Sequence, residues 1–234
     1  MSDTAVIMAG GLGTRLRPYT VVLPKPLMPL GDKPILGLII GQLANNGFKR
    51  IILAVNHQAD IIKAYFGEGS EWGVNIEYVL EKKRLGTMGP LSLIENLPET
   101  FLVMNGDVLT DLNYSKFLAE HAQSGYSFSI SASNREQQID YGVIETNSGK
   151  LVSMLEKPIK HFLVSMGIYA LNKDILDLIP TNEYFGFDNL MACCLDEAVN
   201  VGVIPHEGYW LDIGRPDDYM KAIDDVEKNK DFFC

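Results

Sequence analysis

Residues 5–18 of the chain read Ala5-Val6-Ile7-Met8-Ala9-Gly10-Gly11-Leu12-Gly13-Thr14-Arg15-Leu16-Arg17-Pro18. The apolar run that begins this stretch predicts a buried strand over residues 5–9. Three glycines follow within four residues, and glycine permits both positive φ angles and a close approach of the backbone to a ligand. The N–H groups of such a loop form a concave anion site, and Arg15 and Arg17 add cations suited to phosphate. The stretch therefore predicts a site for a polyphosphate.

The loop matches neither the G-x-G-x-x-G pattern nor the G-x-x-x-x-G-K-[ST] pattern of well-known phosphate sites. By itself it is also compatible with a plain turn whose arginines are solvated. A second stretch favours the phosphate site, because Lys25 stands between Pro24 and Pro26. Proline restricts the backbone on either side, so this lysine predicts a positive charge held in one place.

Together these stretches resemble a known family. Gly-Gly-x-Gly-Thr-Arg-Leu-x-Pro over residues 10–18, followed by Pro-Lys-Pro, is similar to the signature of the sugar-1-phosphate nucleotidyltransferases, or nucleoside-diphosphate-sugar pyrophosphorylases. The similarity extends to Trp210-Leu211-Asp212-Ile213-Gly214-Arg215-Pro216 and so covers almost the whole chain. It implies a GT-A-like nucleotidyltransferase fold. It also implies attack of a sugar 1-phosphate on the α-phosphorus of a nucleoside triphosphate, with release of pyrophosphate.

Alternating strand and helix patterns in the first half indicate βαβ units. Strands are predicted over 5–9, 51–55, 74–79 and 100–104, and helices over 34–46, 59–66 and 91–97. This predicts an α/β fold with a mainly parallel, Rossmann-like mixed sheet flanked by helices. Ligands of such sheets bind beyond the carboxyl ends of the strands. The glycine loop and the turns after Val79 and Met104 should therefore lie on one rim.

The second half shows shorter strand patterns with fewer helices. Strands are predicted over 127–132, 142–145, 151–155 and 163–171, and helices over 173–179, 188–197 and 216–227. The whole chain is interpreted as a single domain. Its nucleotide-binding half ends at about residue 110, and a sugar-phosphate-binding half follows over 111–234.

Composition excludes several classes of function. The chain has 234 residues, is 47% hydrophobic and carries a net charge of -10. This acidity argues against a nucleic-acid partner, and the lack of a leader or a long apolar segment argues against a membrane partner. Three cysteines, one of them Cys234, form no disulfide framework or zinc spacing, and four scattered histidines suggest no metal site. These features predict a cytoplasmic protein; the oligomeric state stays open, a homodimer included.

Two aspartates are candidates for holding a metal ion. Asp107 follows an apolar strand, and Asp212 lies between Tyr209-Trp210-Leu211 and Ile213-Gly214. A buried carboxylate is costly unless it is paired or binds a metal, although a lone aspartate after a strand is also a common turn former. In the family that the chain resembles, the acids matching these two jointly hold Mg²⁺.

The resemblance also implies a nucleotide site and a catalytic set. Arg15 and the amides of the glycine loop would hold the β- and γ-phosphates, and Lys25 the α-phosphate. Because the attacking phosphate is already ionised at pH 7, the reaction requires no general base. The implied catalytic residues are Arg15, Lys25, Asp107 and Asp212. The implied nucleotide-binding residues are Ala9, Gly10, Gly11, Gly13, Thr14, Arg15, Lys25, Glu81, Gly86, Thr87 and Asp107.

A second set of residues resembles the family's sugar-phosphate site. Lys157 precedes a proline and would contact the sugar phosphate, while Glu156 would contact a sugar hydroxyl. Ser165-Met166 departs from the Asn-Ala of many family members, which puts sugar contacts there in doubt. Arg215 is either a further phosphate cation or a cap of the helix that follows. The implied set is Gly142, Glu156, Lys157, Gly167 and Arg215.

Glu81 is the residue that indicates which nucleotide base the site selects. An ionised glutamate only accepts hydrogen bonds, which suits the adjacent N–H donors of guanine and favours GTP. UTP, CTP and dTTP remain alternatives. The chain as a whole is similar to guanylyltransferases of bacterial surface-sugar pathways. A non-catalytic paralogue that binds nucleotide sugars is the alternative of another class, but such a protein would lack some of the four catalytic residues.

Overall fold

The computed structural model describes residues 2–56 and 58–229, so His57 and Cys234 lie outside the described residues. The strands are β1 (Thr4–Met8), β2 (Pro29–Leu30), β3 (Lys33–Pro34), β4 (Arg50–Val55), β5 (Asn75–Leu80), β6 (Thr100–Asn105), β7 (Val108–Thr110), β8 (Phe128–Gln138), β9 (Val143–Asn147), β10 (Lys150–Leu155), β11 (Ile159–Asn172), β12 (Val201–His206) and β13 (Trp210–Asp212). The α-helices are α1 (Ile35–Asn45), α2 (Ala59–Phe66), α3 (Tyr114–Ser124), α4 (Phe187–Asp196) and α5 (Pro216–Lys228). No helix within the described ranges is long and apolar enough to cross a bilayer.

Seven strands form the central sheet, in the order β12-β8-β11-β6-β1-β4-β5. The pairs β6–β1, β1–β4, β4–β5 and β12–β8 are parallel. Strand β11 runs antiparallel to both of its neighbours, β6 and β8. The predicted α/β fold with a mainly parallel mixed sheet is therefore confirmed.

Strand β1 lies at the centre of two hydrophobic cores, one on each face of the sheet. Ala5 and Ile7 belong to the core that includes α1, whereas Val6 belongs to the core that includes residues of α4. Successive side chains of a strand point to opposite faces, and strands of parallel sheets are typically covered on both faces. A continuous apolar run at β1 is the sequence pattern that this environment requires.

Some local predictions were wrong. The helix predicted over 91–97 is a 3₁₀ helix at Gly89–Leu93, with Pro90 in its first turn. Ile94 has an extended backbone, with a φ of -95° and a ψ of 119°, so the helix ends at Leu93. The helix Tyr114–Ser124 was not predicted, although Asn113 caps it by accepting a 2.8 Å hydrogen bond from the N–H of Lys116.

Strands β8 and β11 continue beyond the central sheet as a two-stranded ribbon, defined here as residues 134–163. Strand β12 follows β8 only as far as Ser133, and β6 pairs with β11 only from Ile168 onward. A 3.0 Å hydrogen bond from the N–H of Ile139 to the carbonyl of Pro158 leads into the hairpin of β9 and β10. The ribbon therefore extends from the sheet as one long hairpin.

Stability is expected to fall as the pH drops below about 6.5, because of a buried histidine. His121 is 1% exposed, and its ring nitrogens lie 2.7 Å from Ser129 Oγ and 3.1 Å from Asn172 Oδ1. Burial lowers the pKa of His121 and outweighs the opposite effects of Asn172 and Asp174. The folded state thus keeps the ring neutral, while the unfolded chain takes up a proton below its ordinary pKa.

Urea unfolding at a series of pH values tests this expectation. Between the two pKa values, the free energy of unfolding should decrease by up to about 1.4 kcal/mol per pH unit on account of this group. The variant His121→Gln should lose this part of the pH dependence. The exposed His161, changed to Gln, serves as the control and should keep it. Parallel pH profiles for the wild type and His121→Gln would contradict the assignment.

Candidate active site

The glycine loop and Asp107 lie side by side because β1 and β6 are parallel neighbours. Met8 at the end of β1 is in register with Asn105 at the end of β6. The N–H of Gly106 donates a 3.0 Å hydrogen bond to the carbonyl of Met8. A Cβ at Gly106 would lie 3.1 Å from that same carbonyl oxygen, so the close approach of the two strand ends favours glycine.

A second short strand brings Asp212 to Asp107. Strand β13 pairs antiparallel with β7, and Asp212 is opposite Val108 in the register. The N–H of Ile213 donates a 2.9 Å hydrogen bond to the carbonyl of Asp107. Two acids that are far apart in the sequence thus meet at the carboxyl edge of the sheet.

Charges of both signs are concentrated around these two acids. Lys25, whose side chain is 9% exposed, pairs with the Oδ2 atom of Asp107. Burial raises the pKa of Asp212, and the nearby carboxylate of Asp107 raises it further. Lys25 and Arg15 act in the opposite direction and lower that pKa. The site therefore combines two carboxylates that repel each other with two cations that partly compensate.

The two carboxylates fit a hard divalent cation. Asp107 Oδ1 is buried and has no hydrogen-bond partner in the described structure. An oxygen in this condition is costly unless a cation or donor satisfies it, and a cation would also relieve the repulsion from Asp212. No group of three or more metal-binding side chains occurs in residues 2–56 and 58–229. Mg²⁺ commonly binds through one or two carboxylates, with waters and phosphates as its other ligands.

A cavity of about 740 Å³ opens beside this cluster. Seven of the predicted nucleotide-binding residues line it: Gly10, Gly11, Arg15, Glu81, Gly86, Thr87 and Asp107. Asp212 also lines it. Residues outside the predicted nucleotide-binding set complete the lining: Met8, Leu12, Asn56, Lys83, Arg84, Leu85, Asn105, Tyr184, Gly186, Phe187 and Asp188.

Four predicted nucleotide-binding residues do not line the cavity in the described structure: Ala9, Gly13, Thr14 and Lys25. Ala9 is buried, and its N–H donates to the carbonyl of Ala54 at 2.9 Å. Gly13 shapes the loop instead, with a φ of 58° and a carbonyl that accepts a 2.7 Å hydrogen bond from Thr20 Oγ1.

Four residues between 184 and 188 form an unpredicted wall of the cavity: Tyr184, Gly186, Phe187 and Asp188. The N–H of Phe185 donates to the carbonyl of Leu85 at 2.7 Å, and the carbonyl of Phe185 accepts from Met88 at 3.0 Å and Gly89 at 2.9 Å. Gly86 has a φ of 81°, and a Cβ there would lie 2.7 Å from the Phe185 carbonyl oxygen. The lack of a side chain at Gly86 thus permits this backbone contact with a distant segment.

Glu81 lies in the turn after β5, against the glycine loop. Its Oε2 atom accepts a 3.3 Å hydrogen bond from the N–H of Leu85. A Cβ at Gly10 would collide with its Oε1 atom, so this glycine allows the carboxylate to approach the loop. Burial raises the pKa of Glu81, and the hydrogen bond from Leu85 lowers it.

The predicted sugar-phosphate residues lie outside the lining of this cavity, as far as the described residues show. Gly142 and Glu156 are neighbours on the ribbon, since a Cβ at Gly142 would lie 3.0 Å from Glu156 Oε2. Lys157 has a positive φ of 45°. Gly167, with a φ of 74°, lies where the β11 register shifts and contacts Asn105, which lines the cavity.

Arg215 is exposed and directly precedes α5. Its backbone N–H donates a 2.9 Å hydrogen bond to Asp218 Oδ2. The cap of this helix start is therefore formed by the side chain of Asp218 on the backbone of Arg215. The proposed contact of the Arg215 guanidinium with phosphate stays a prediction.

Comparison with known proteins gives one family. A family model described as nucleotidyl transferase matches residues 4–229. The mannose-1-phosphate guanyltransferase of Yarrowia lipolytica is 36% identical over 230 residues, which cover 93% of this chain and 62% of the relative. The UTP–glucose-1-phosphate uridylyltransferase of Synechocystis sp. is 32% identical, with 94% and 62% covered. The chain thus spans 62% of the length of these curated relatives.

Solved structures show the same fold. HddC from Yersinia pseudotuberculosis superimposes with a TM-score of 0.74 at 28% identity, with 95% of this chain and 99% of that chain covered. The structure of HddC complexed with GMP-PN gives a TM-score of 0.73 at 27% identity, with the same coverage.

Proposed function

Because the chain belongs to the nucleotidyl transferase family, we propose that it transfers a nucleotidyl group from a nucleoside triphosphate, with GTP favoured, to a sugar 1-phosphate. The products are a nucleoside-diphosphate sugar and pyrophosphate. The observation that carries this proposal is the meeting of Asp107 and Asp212 beside Arg15 at one cavity. Its proposed place is the bacterial cytoplasm, where the product would serve surface-glycan synthesis.

The proposed chemistry depends on placing two anions together. A phosphate oxygen of the sugar 1-phosphate bonds to the α-phosphorus, and the bond from that phosphorus to the pyrophosphate oxygen breaks. Such transfers rely mainly on alignment and on charge neutralisation. Arg15 and the N–H groups of the glycine loop would bind the β- and γ-phosphates. Lys25, which pairs with Asp107 in the structure, would bind the α-phosphate.

Mg²⁺ is the proposed cofactor, with Asp107 and Asp212 as its protein ligands. When bound, it would neutralise phosphate charge and so reduce the repulsion between the two reactants. The unpaired, buried Oδ1 atom of Asp107 supports this assignment.

Three observations support GTP as the nucleotide. The Yarrowia lipolytica relative is named a guanyltransferase, and the HddC structure contains GMP-PN. Glu81 lines the cavity and presents a carboxylate, which in its ionised form only accepts hydrogen bonds. Guanine offers adjacent N1–H and N2–H donors to such a group.

The proposed function is tested by a pyrophosphate-release screen. The purified protein with Mg²⁺ is combined with each of GTP, UTP, CTP and dTTP and with a panel of hexose and heptose 1-phosphates. Release that requires both substrates is expected, and it should be fastest with GTP. Absence of release with every combination would contradict the proposed activity.

Glu81→Gln is expected to narrow the preference for GTP over the other triphosphates by about 10-fold, since an amide replaces one acceptor with a donor. The ratio of kcat/KM for GTP to that for UTP measures the effect. The exposed Glu71, changed to Gln, is the control and should leave the ratio unchanged. An unchanged ratio in Glu81→Gln would remove Glu81 from base selection.

A further inference from the structure

A basic run lies in the turn after β5, at one end of the cavity. It consists of Lys82, Lys83 and Arg84. Lys83 and Arg84 line the cavity, whereas Lys82 does not line it in the described structure. The side chain of Arg84 is exposed and makes no ion pair or side-chain hydrogen bond within residues 2–56 and 58–229. The N–H donors of its guanidinium are therefore available to a ligand.

The main chain next to Arg84 is held in place by contacts of Leu85. Leu85 is buried, and its N–H donates a 3.3 Å hydrogen bond to Oε2 of Glu81. The carbonyl of Leu85 accepts a 2.7 Å hydrogen bond from the N–H of Phe185. The side chains of Glu81 and Arg84 thus extend from one turn whose backbone is fixed from both sides. An acceptor and a donor group are presented together to the cavity.

The sheet order separates this turn from the acid pair. Strand β5 lies at the edge of the sheet, three places from β6. Neighbouring strands are about 4.8 Å apart, so the carboxyl ends of β5 and β6 are separated by roughly 14 Å. Asp107, the proposed ligand of Mg²⁺, directly follows the β6 end, and Arg15 lies in the loop after β1. A triphosphate bound between Arg15 and Asp107 therefore directs its base toward β5, where Arg84 lies.

Guanine carries two acceptors beside the donors that Glu81 would bind. The O6 atom is adjacent to N1–H, and N7 follows O6 along the same edge of the ring. A planar guanidinium donates two parallel hydrogen bonds to O6 and N7, which is the commonest specific contact of proteins with guanine. Adenine presents an amino group in place of O6, and pyrimidines have no N7. A free guanidinium next to Glu81 therefore matches guanine better than any other base.

We propose that Arg84 is a specificity-determining residue of the nucleotide site, which donates hydrogen bonds to O6 and N7 of guanine while Glu81 accepts from N1–H and N2–H. This assignment deepens the proposed function and rests on it. Lys83 lines the same cavity, but an ammonium is a compact point charge without the planar fork of a guanidinium. Lys83 therefore contributes general attraction for the polyanion.

Isothermal titration calorimetry of the full chain, with Mg²⁺ and without a sugar 1-phosphate, tests the assignment. The ligands are GTP and 7-deaza-GTP, in which a C–H group replaces N7. The wild type should bind 7-deaza-GTP about 10-fold more weakly than GTP, because a hydrogen bond to a charged donor is lost. Arg84→Met removes the donors and should bind GTP at least about 10-fold more weakly than the wild type does. It should bind the two nucleotides with dissociation constants within about two-fold of each other, since N7 no longer has a donor.

Two variants and one further nucleotide serve as controls. Lys82→Met changes an exposed cation of the same run outside the cavity lining, and it should bind GTP within about two-fold of the wild type. Lys83→Met should weaken GTP and 7-deaza-GTP by the same factor. Inosine triphosphate lacks only the N2 amino group that faces Glu81. Its affinity relative to GTP should therefore be the same in the wild type and in Arg84→Met.

Circular dichroism and the thermal midpoint establish that each variant is folded, and Arg84→Leu replaces Arg84→Met if the latter does not fold. Equal affinity of the wild type for GTP and 7-deaza-GTP would overturn the proposal. A difference between these nucleotides that persisted in Arg84→Met would also overturn it, because Arg84 would then act on the phosphates alone. Binding requires no turnover. Discrimination by Arg84 without any pyrophosphate release would therefore contradict the proposed function and leave the base contact standing.

Discussion

Asp107→Asn and Asp212→Asn are each expected to lower Mg²⁺-dependent pyrophosphate release by about 1,000-fold or more, because an amide cannot supply the charge that holds the cation. The two variants should differ in stability. Asp107→Asn leaves Lys25 buried without its counter-charge, which should lower the thermal midpoint. Asp212→Asn removes a carboxylate whose pKa is raised by burial and by the neighbouring Asp107. The thermal midpoint of this variant should therefore stay the same or increase.

Asp111→Asn is the matched control for both. Asp111 closely follows the same short strand β7, but its Oδ1 atom lies 2.6 Å from Nε2 of His206, and it does not line the described cavity. Its substitution should leave the rate within about two-fold of the wild type, as expected for a site outside the chemistry. Initial rates and thermal unfolding of the three variants are compared. Full turnover by both Asp107→Asn and Asp212→Asn would refute the metal assignment.

Arg15→Ala is expected to reduce kcat/KM for the nucleotide by about 100-fold or more, since a fixed cation at a polyphosphate acts on binding and on the developing charge. Arg15 lines the cavity and lies close to Asp212. A Cβ at Gly214 would lie 3.3 Å from the Arg15 guanidinium and 3.3 Å from Asp212 Oδ2, so the two groups flank the same glycine.

Arg17 provides the comparison, because it is two residues further along the same loop. It is exposed and does not line the cavity among the described residues. Arg17→Ala should change kcat/KM by less than about three-fold. Steady-state kinetics with varied GTP measures both variants. If the two variants lost kcat/KM equally, the two arginines would contribute only general positive charge.

The rim of the sheet could be predicted because the sequence patterns that indicate it lie within short, continuous stretches of the chain. An apolar run followed by glycines indicates a strand that ends at a ligand loop, and β1 ends at Met8 as this pattern requires. The mainly parallel order followed from alternating strands and helices. The helix Tyr114–Ser124 was also within reach, since Asn113 caps it and Gly125 ends it, with Tyr114 and Phe117 at helical spacing.

Other parts of the site depend on contacts between distant segments, which periodicity does not reveal. The meeting of Asp107 with Asp212 depends on the pairing of β7 with β13, two strands of three residues each. It could be anticipated from the family resemblance alone. The wall at 184–188 was missed because its contacts with the loop after Leu85 run through the backbone, which carries no residue-specific signal.

The hydrogen bonds of Phe185 to Leu85, Met88 and Gly89 have a consequence for protein engineering. A chimaera that joined residues 1–110 to the second half of another relative, in order to change the sugar accepted, would exchange both Phe185 and Asp212. Such a graft would take half of the acid pair and one support of the nucleotide loop from the other protein, so both would have to be positioned again across a new junction. We therefore expect sugar preference to be redesigned more safely by point substitution than by recombination at residue 110.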